Sequence, residues 1–138
     1  MSAKAVVLDT NVFVAAGFNR QSASARILSL VRSGRLRIIW NEETRREARH
    51  ILERIPLLSW SSVAQLFREE DRYQGETFPE KFAFIPDPDD RKFAALADAS
   101  GTVLLTNDEH LLRDRDQARL EILAPCEFLN RIMSESDR

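Results

Sequence analysis

Short apolar runs alternate with amphipathic stretches along the chain, and the alternation predicts its elements. Ala5-Val6-Val7-Leu8 is apolar without a break. It reads as a strand buried on both faces, as in a parallel sheet covered by helices. Further runs at residues 36–40, 102–106 and 120–123 predict strands, with a shorter one around residues 82–85. Between them, apolar residues recur at helical spacing. Ala25, Leu28 and Val31 predict a helix over residues 22–33, stopped by Gly34. Asn41 is placed to cap a helix over residues 42–55, which Pro56 ends. Ser59 opens a third helix through residue 73, with Trp60, Val63, Ala64 and Phe67 as its apolar stripe. Asp87-Pro88 opens another, to residue 99, closed by Gly101. Asn107 or Asp108 starts a short helix through Leu112, a charged loop covers residues 113–119, and a last helix spans residues 125–133. Residues 134–138 read as a frayed tail.

Strands alternating with helices imply βαβ units, hence an α/β fold with helices on both sides of a parallel sheet. No repeat, low-complexity segment or linker divides the 138 residues, so residues 1–133 are expected to form a single domain with a real core. The apolar fraction of 43% and charged fraction of 30% are those of a globular protein. No stretch approaches the ~20 apolar residues of a membrane span. The first residues lack the basic-then-apolar pattern of a secretory leader, so no membrane association and a cytoplasmic location are expected. One cysteine, Cys126, leaves no internal disulfide framework. The formal net charge of −2 neither advertises nor excludes a nucleic-acid partner. A cluster of acids around a cation would hide local basic patches in that sum.

Open parallel sheets bind ligands in the crevice beyond the carboxyl ends of their strands. Asp9 ends the first strand and would sit at that mouth. Asp108 follows the Val103-Leu104-Leu105-Thr106 strand by two positions. Asp90 lies in the first turn of the preceding helix, on one face with Phe93, Ala94 and Ala97. Glu47 flanks the buried stripe that Ile51 and Ile55 continue. Taken singly, Asp90 and Asp108 are explained as helix starts and Glu47 as a solvated helix glutamate. Asp9 has no such explanation. Taken together, converging carboxylates raise each other's pKa unless a cation neutralises them. With no cysteine or paired-histidine ligands, and with His50 and His110 isolated, the set suits Mg²⁺ or Mn²⁺.

These residues resemble a known family. Val7-Leu8-Asp9-Thr10-Asn11-Val12 is similar to the opening motif of PIN-domain ribonucleases. Glu47, within Thr44-Arg45-Arg46-Glu47-Ala48-Arg49-His50-Ile51-Leu52, resembles their helical glutamate. Asp87-Pro88-Asp89-Asp90-Arg91-Lys92-Phe93-Ala94-Ala95-Leu96-Ala97 resembles the third acidic motif, with Asp90 in the key place. Thr106-Asn107-Asp108-Glu109-His110-Leu111-Leu112 resembles the fourth, with Asn107 where a small residue is usual. The match runs in order over nearly the whole chain and is nearest to small prokaryotic toxins of toxin–antitoxin pairs (VapC-like).

The resemblance implies a three-layer α/β/α sandwich with a central parallel sheet of about five strands. It implies a metal-dependent endoribonuclease that leaves a 5′-phosphate and a 3′-hydroxyl, with one or two Mg²⁺ or Mn²⁺ ions. Asp9, Asp90 and Asp108 would be ligands, with Asp87 or Asp89 as possible substitutes for Asp90. Glu47 would bind a second ion or orient the nucleophile. Thr10, Asn11 and Thr106 would fix carboxylate orientation. Arg45, Arg46, Arg49, Arg91 and Lys92 would grip RNA, with Arg113 and Arg20 as further candidates, or would be solvated helix faces. A cognate antitoxin and a homodimer are the expected partners, with the Trp60, Val63, Phe67 stripe as a candidate wall or, equally, as core.

Two other readings compete. Phosphatases of the haloacid dehalogenase type also begin with a strand ending in Asp, but need a second Asp where this chain has Asn11. A catalytically inactive PIN-like module that binds RNA or protein would keep the fold without the chemistry.

Overall fold

Val6 and Leu8 turn to one side of the first strand and Val7 to the other, and all three are buried. In this computed structural model, which describes residues 4–136, that strand, β1 (Lys4–Leu8), lies inside a parallel sheet. β2 (Leu36–Ile38) pairs with one side of it and β3 (Val103–Leu105) with the other, and β4 (Ile122–Leu123) lies beyond β3. The order is β2-β1-β3-β4. α1 (Thr10–Phe18), α2 (Ala23–Arg32) and α6 (Pro125–Ser136) cover the side bearing Val6, Leu8, Leu105 and Leu123. α4 (Pro88–Ser100) and Leu111 of α5 (Glu109–Arg113) cover the side bearing Val7, Leu104 and Ile122. α3 (Glu42–Arg54) adds Leu52 to the first core and touches both α1 and α4. The result is the expected three-layer α/β/α sandwich. Among the described residues no helix is long and apolar enough to cross a membrane.

The caps follow the sequence. Ser22 accepts from the Ala25 amide, and Asn41 and Thr44 form a reciprocal box at the start of α3. Asp87 caps α4, whose end turns on Gly101 at φ 69°, a left-handed conformation that glycine adopts without strain.

Five points of the sequence reading need correction. Residues 10–18 form a helix that the apolar pattern did not signal. Residues 59–73 do not form one helix; they make short 3₁₀ turns at Trp60–Ser62, Ala64–Leu66 and Glu69–Asp71. Ser62 Oγ donates to the Ser59 carbonyl and Ser59 pairs with Ser61, local bonds that compete with a helical ladder. Residues 82–85 are not a strand. Pro79–Phe82 is a 3₁₀ turn, and the Ala83 and Ile85 carbonyls accept from the Arg91 guanidinium, not from a neighbouring strand. The sheet therefore has four strands among the described residues, where about five were expected. A single parallel bridge between Trp40 and Arg72 extends it beyond β2, with the buried Asp71 tied to Arg37 at 2.7 Å. The tail expected from residue 134 is helical to Ser136, with Lys4 paired to Glu135; residues 137–138 lie outside the described part.

From β1 the chain crosses one way to β2 and later returns on the other side to β3. The switch point of the sheet thus falls between the carboxyl ends of β1 and β3, where such folds open a ligand crevice.

Candidate active site

Asp9 and Asp108 both come to that switch point. The Asp9 amide donates to the Leu105 carbonyl at 3.0 Å, which carries the β1–β3 pairing one step past β1. Asp9 stands at the N-terminus of α1, and its side chain makes no well-formed capping bond to that helix. It is buried, and its Oδ2 accepts from Thr106 Oγ1 at 2.8 Å and Asn11 Nδ2 at 3.2 Å. Thr106, fully buried, also accepts from the Asp108 amide at 3.0 Å and from Asn11 Nδ2 at 3.3 Å. Asn11 Oδ1 takes the Asn107 amide at 3.0 Å, so its NH₂ must face the carboxylate. Thr10 Oγ1 is buried with no hydrogen-bond partner among the described residues. Asp108 caps α5, with Oδ1 accepting from the His110 and Leu111 amides at 2.8 and 3.2 Å.

One member of this network carries no sequence signal. Ser24 of α2 is buried and accepts from Asn107 Nδ2 at 2.9 Å, bracing the turn that presents Asp108.

Burial pushes the Asp9 carboxyl up to about 6. The Asp108 charge adds to this, and the hydrogen bonds from Thr106 and the Thr10 and Asn11 backbone oppose it. Asp90, in the first turn of α4, is pushed up to about 7, first by burial and then by the charges of Asp9, Asp87, Asp108 and Asp89. The three aspartates therefore feel one another. A carboxyl raised in the fold binds its proton more tightly there than in the unfolded chain. Its stabilising effect is full below pH 3.8 and is lost as pH rises through about 7. Near pH 8 without divalent ions, Asp90→Asn is thus expected to be more stable than wild type by about 1 kcal/mol, a figure discounted for solvent screening. The gain should vanish below about pH 4 in urea unfolding.

Thr106→Val keeps the shape but removes the donor to Asp9 and the acceptor of the Asp108 amide. It should cost about 1–3 kcal/mol in urea unfolding, because buried polar groups lose their partners, and Thr106→Ser should recover most of that.

Glu47, on α3, pairs with α4. Its Oε2 lies 3.3 Å from Lys92 Nζ, and it is not among the charges that raise Asp9 or Asp90. Among the described residues no three carboxylate, imidazole or thiol side chains stand close enough to enclose a metal ion. The donor chemistry still fits a hard cation: aspartate oxygens only, two of them with raised pKa values.

The basic residues divide. Arg91 binds the carbonyls of Ala83 and Ile85, Arg49 pairs with Glu53 at 2.6 Å, and Arg113 meets Asp114 and His110. Arg45 lies over Trp60 at 5.3 Å and Trp40 at 5.9 Å, with no carboxylate partner among the described residues. Arg46 and Arg20 are exposed. Trp60 and Phe67 pack on the first core and Val63 is buried in it, so that stripe is mainly core.

Comparison with known proteins agrees with this architecture. The chain is similar in fold to the crystal structure of PAE2754 from Pyrobaculum aerophilum, with TM-score 0.55 and 18% identity, over 97% of this chain and 99% of that one. At that identity the likeness is one of fold. No curated protein sequence matches. The PIN domain family matches residues 5–110, a span that holds Asp9, Glu47, Asp90 and Asp108. The chain belongs to the PIN domain family, whose members are typically nucleases.

Proposed function

We propose that this chain is a divalent-cation-dependent endoribonuclease in which Asp9, Asp90 and Asp108 hold the ion. The observation that carries this reading is that Thr106 and Asn11 hold Asp9 and Asp108 together at the switch point, with Asp90 on α4 near enough to feel both charges after burial has raised its carboxyl. Without a cation such groups repel and spread; a hard cation removes the repulsion and draws the oxygens together. A bound Mg²⁺ or Mn²⁺ would supply a water of lowered pKa and polarise the phosphoryl group. The protein's own part is orientation. Thr106 and Asn11 aim Asp9 Oδ2, and the α5 cap fixes Asp108 through Oδ1. Arg45, steadied by two indole rings, and exposed Arg46 are the basic residues best placed on α3 to meet an RNA backbone.

Incubating a mixed RNA pool with the protein and Mn²⁺ should yield fragments with 5′-phosphate ends, and EDTA should abolish them. RNA left intact with both Mn²⁺ and Mg²⁺ contradicts the reading.

The toxin role is part of the same proposal. An open groove of about 490 Å³ between α1, α2 and the 57–63 segment is lined by Phe13, Leu28, Leu52, Leu58 and Val63, with Arg20 and Arg32 among its polar residues. It is the proposed seat for an antitoxin segment. Growth arrest on expression, relieved by the neighbouring gene product, is the expected outcome.

A further inference from the structure

Ser24 and Asn107 bear on how the aspartates are held in place, an inference that rests on the nuclease reading above. Asn107 stands between Thr106 and Asp108, in the turn that carries both. Its backbone amide donates to Asn11 Oδ1 at 3.0 Å, and its side-chain Nδ2 donates to Ser24 Oγ at 2.9 Å. The turn is thus tied to α1 through its main chain and to α2 through its side chain. Ser24 is 2% exposed and lies in the first turn of α2, but Ser22 is the residue that caps that helix. Among the described residues, Asn107 Nδ2 is the hydrogen-bond partner of the Ser24 side chain. Alanine would suit this buried helical position better were the hydroxyl idle.

The same turn aims the acids. The Asp108 amide donates to Thr106 Oγ1, which itself donates to Asp9 Oδ2. Asn11, held at Oδ1 by the Asn107 amide, turns its NH₂ to that same Asp9 oxygen. A shift of Asn107 would therefore disturb both side-chain donors on Asp9 and the amide bond that sets Asp108. We propose that Ser24 and Asn107 are a positioning pair: Ser24 anchors the Asn107 side chain to α2, and the anchored turn sets the placement of Asp9 and Asp108 for reaction. Neither residue is itself a reacting group.

Two readouts on Ser24→Ala and Asn107→Ala test this. In EDTA, native-state hydrogen exchange followed by NMR should show the Asp108 amide exchanging about tenfold faster in each variant, the effect of one lost hydrogen bond. On an RNA that wild type cuts in Mn²⁺, each variant should lower kcat about tenfold with KM within about twofold, as when a group that orients a site residue is removed. The double variant Ser24→Ala/Asn107→Ala should lose no more than either single one, because all three lack the same bond. If Ser24→Ala fails to fold, Asn107→Ala, at an exposed position, carries both readouts. Faster exchange with kcat unchanged makes the pair merely structural and overturns the proposal, leaving the nuclease reading standing. Additive losses in the double variant, or a raised KM with kcat kept, overturn it as well. Wild type that cuts no RNA in any divalent metal removes the nuclease reading, and this inference with it.

Discussion

Asp9→Asn is expected to lower RNA cleavage by about 10²–10³-fold while leaving the fold intact, a loss of the size seen when one preorganised electrostatic group is removed. The expectation follows from what Asp9 does not do. Its side chain has no ion-pair partner among the described residues, and the first-turn amides of Thr10 and Asn11 act on it only as secondary influences behind burial and Thr106. Its hydrogen bonds come from donors, Thr106 and Asn11, that an asparagine carbonyl can also satisfy. The stability change has a definite sign. The folded pKa is raised to about 6, so ionisation costs stability as pH rises from 3.8 through that value. Above it, in EDTA, the amide should be at least as stable as the carboxylate. Single-turnover cleavage and urea unfolding on the same preparations separate the two effects. Loss of activity together with loss of stability would mark Asp9 as structural.

Leu105→Ala should destabilise the protein by about 2–5 kcal/mol in urea unfolding, the range for a large-to-small change in a well-packed core. Leu105 is fully buried in β3, paired to Leu8 on one side and Leu123 on the other. Its carbonyl receives the Asp9 amide. The same strand then delivers Thr106 and Asp108, so the cavity would loosen the site from beneath. Leu57→Ala, at a position 84% exposed, should change stability by less than about 0.5 kcal/mol. Equal effects at the two positions would contradict the packing described here.

The sheet and its acids were legible for local reasons. Asp9 directly ends an apolar run and Asp108 follows another by two positions, and the caps at Asn41, Asp87 and Asp108 are short-range chemistry that a sequence displays directly. α1 was hidden because Thr-Asn-Val-Phe-Val-Ala-Ala-Gly-Phe has no polar face. Val12, Phe13 and Ala16 are buried, Val14 packs on the same core, and no helical stripe stands out. The segment from Ser59 carries a helical stripe that is real as packing: Trp60, Val63 and Phe67 do reach the core, but from 3₁₀ turns. The partners that decide the site's chemistry are distant in sequence. Ser24 meets Asn107 across 83 residues and Glu47 meets Lys92 across 45, and no spacing rule reaches that far.

The most direct test of the central claim compares wild type, Asp9→Asn and Asp90→Asn for cleavage of a mixed RNA pool in Mn²⁺, with RNA binding measured in parallel. Metal-dependent cleavage by wild type, lost in both variants while binding is retained, is the predicted result. Cleavage that persists in either folded variant, or RNA binding by wild type with no cleavage in any divalent metal, would contradict it.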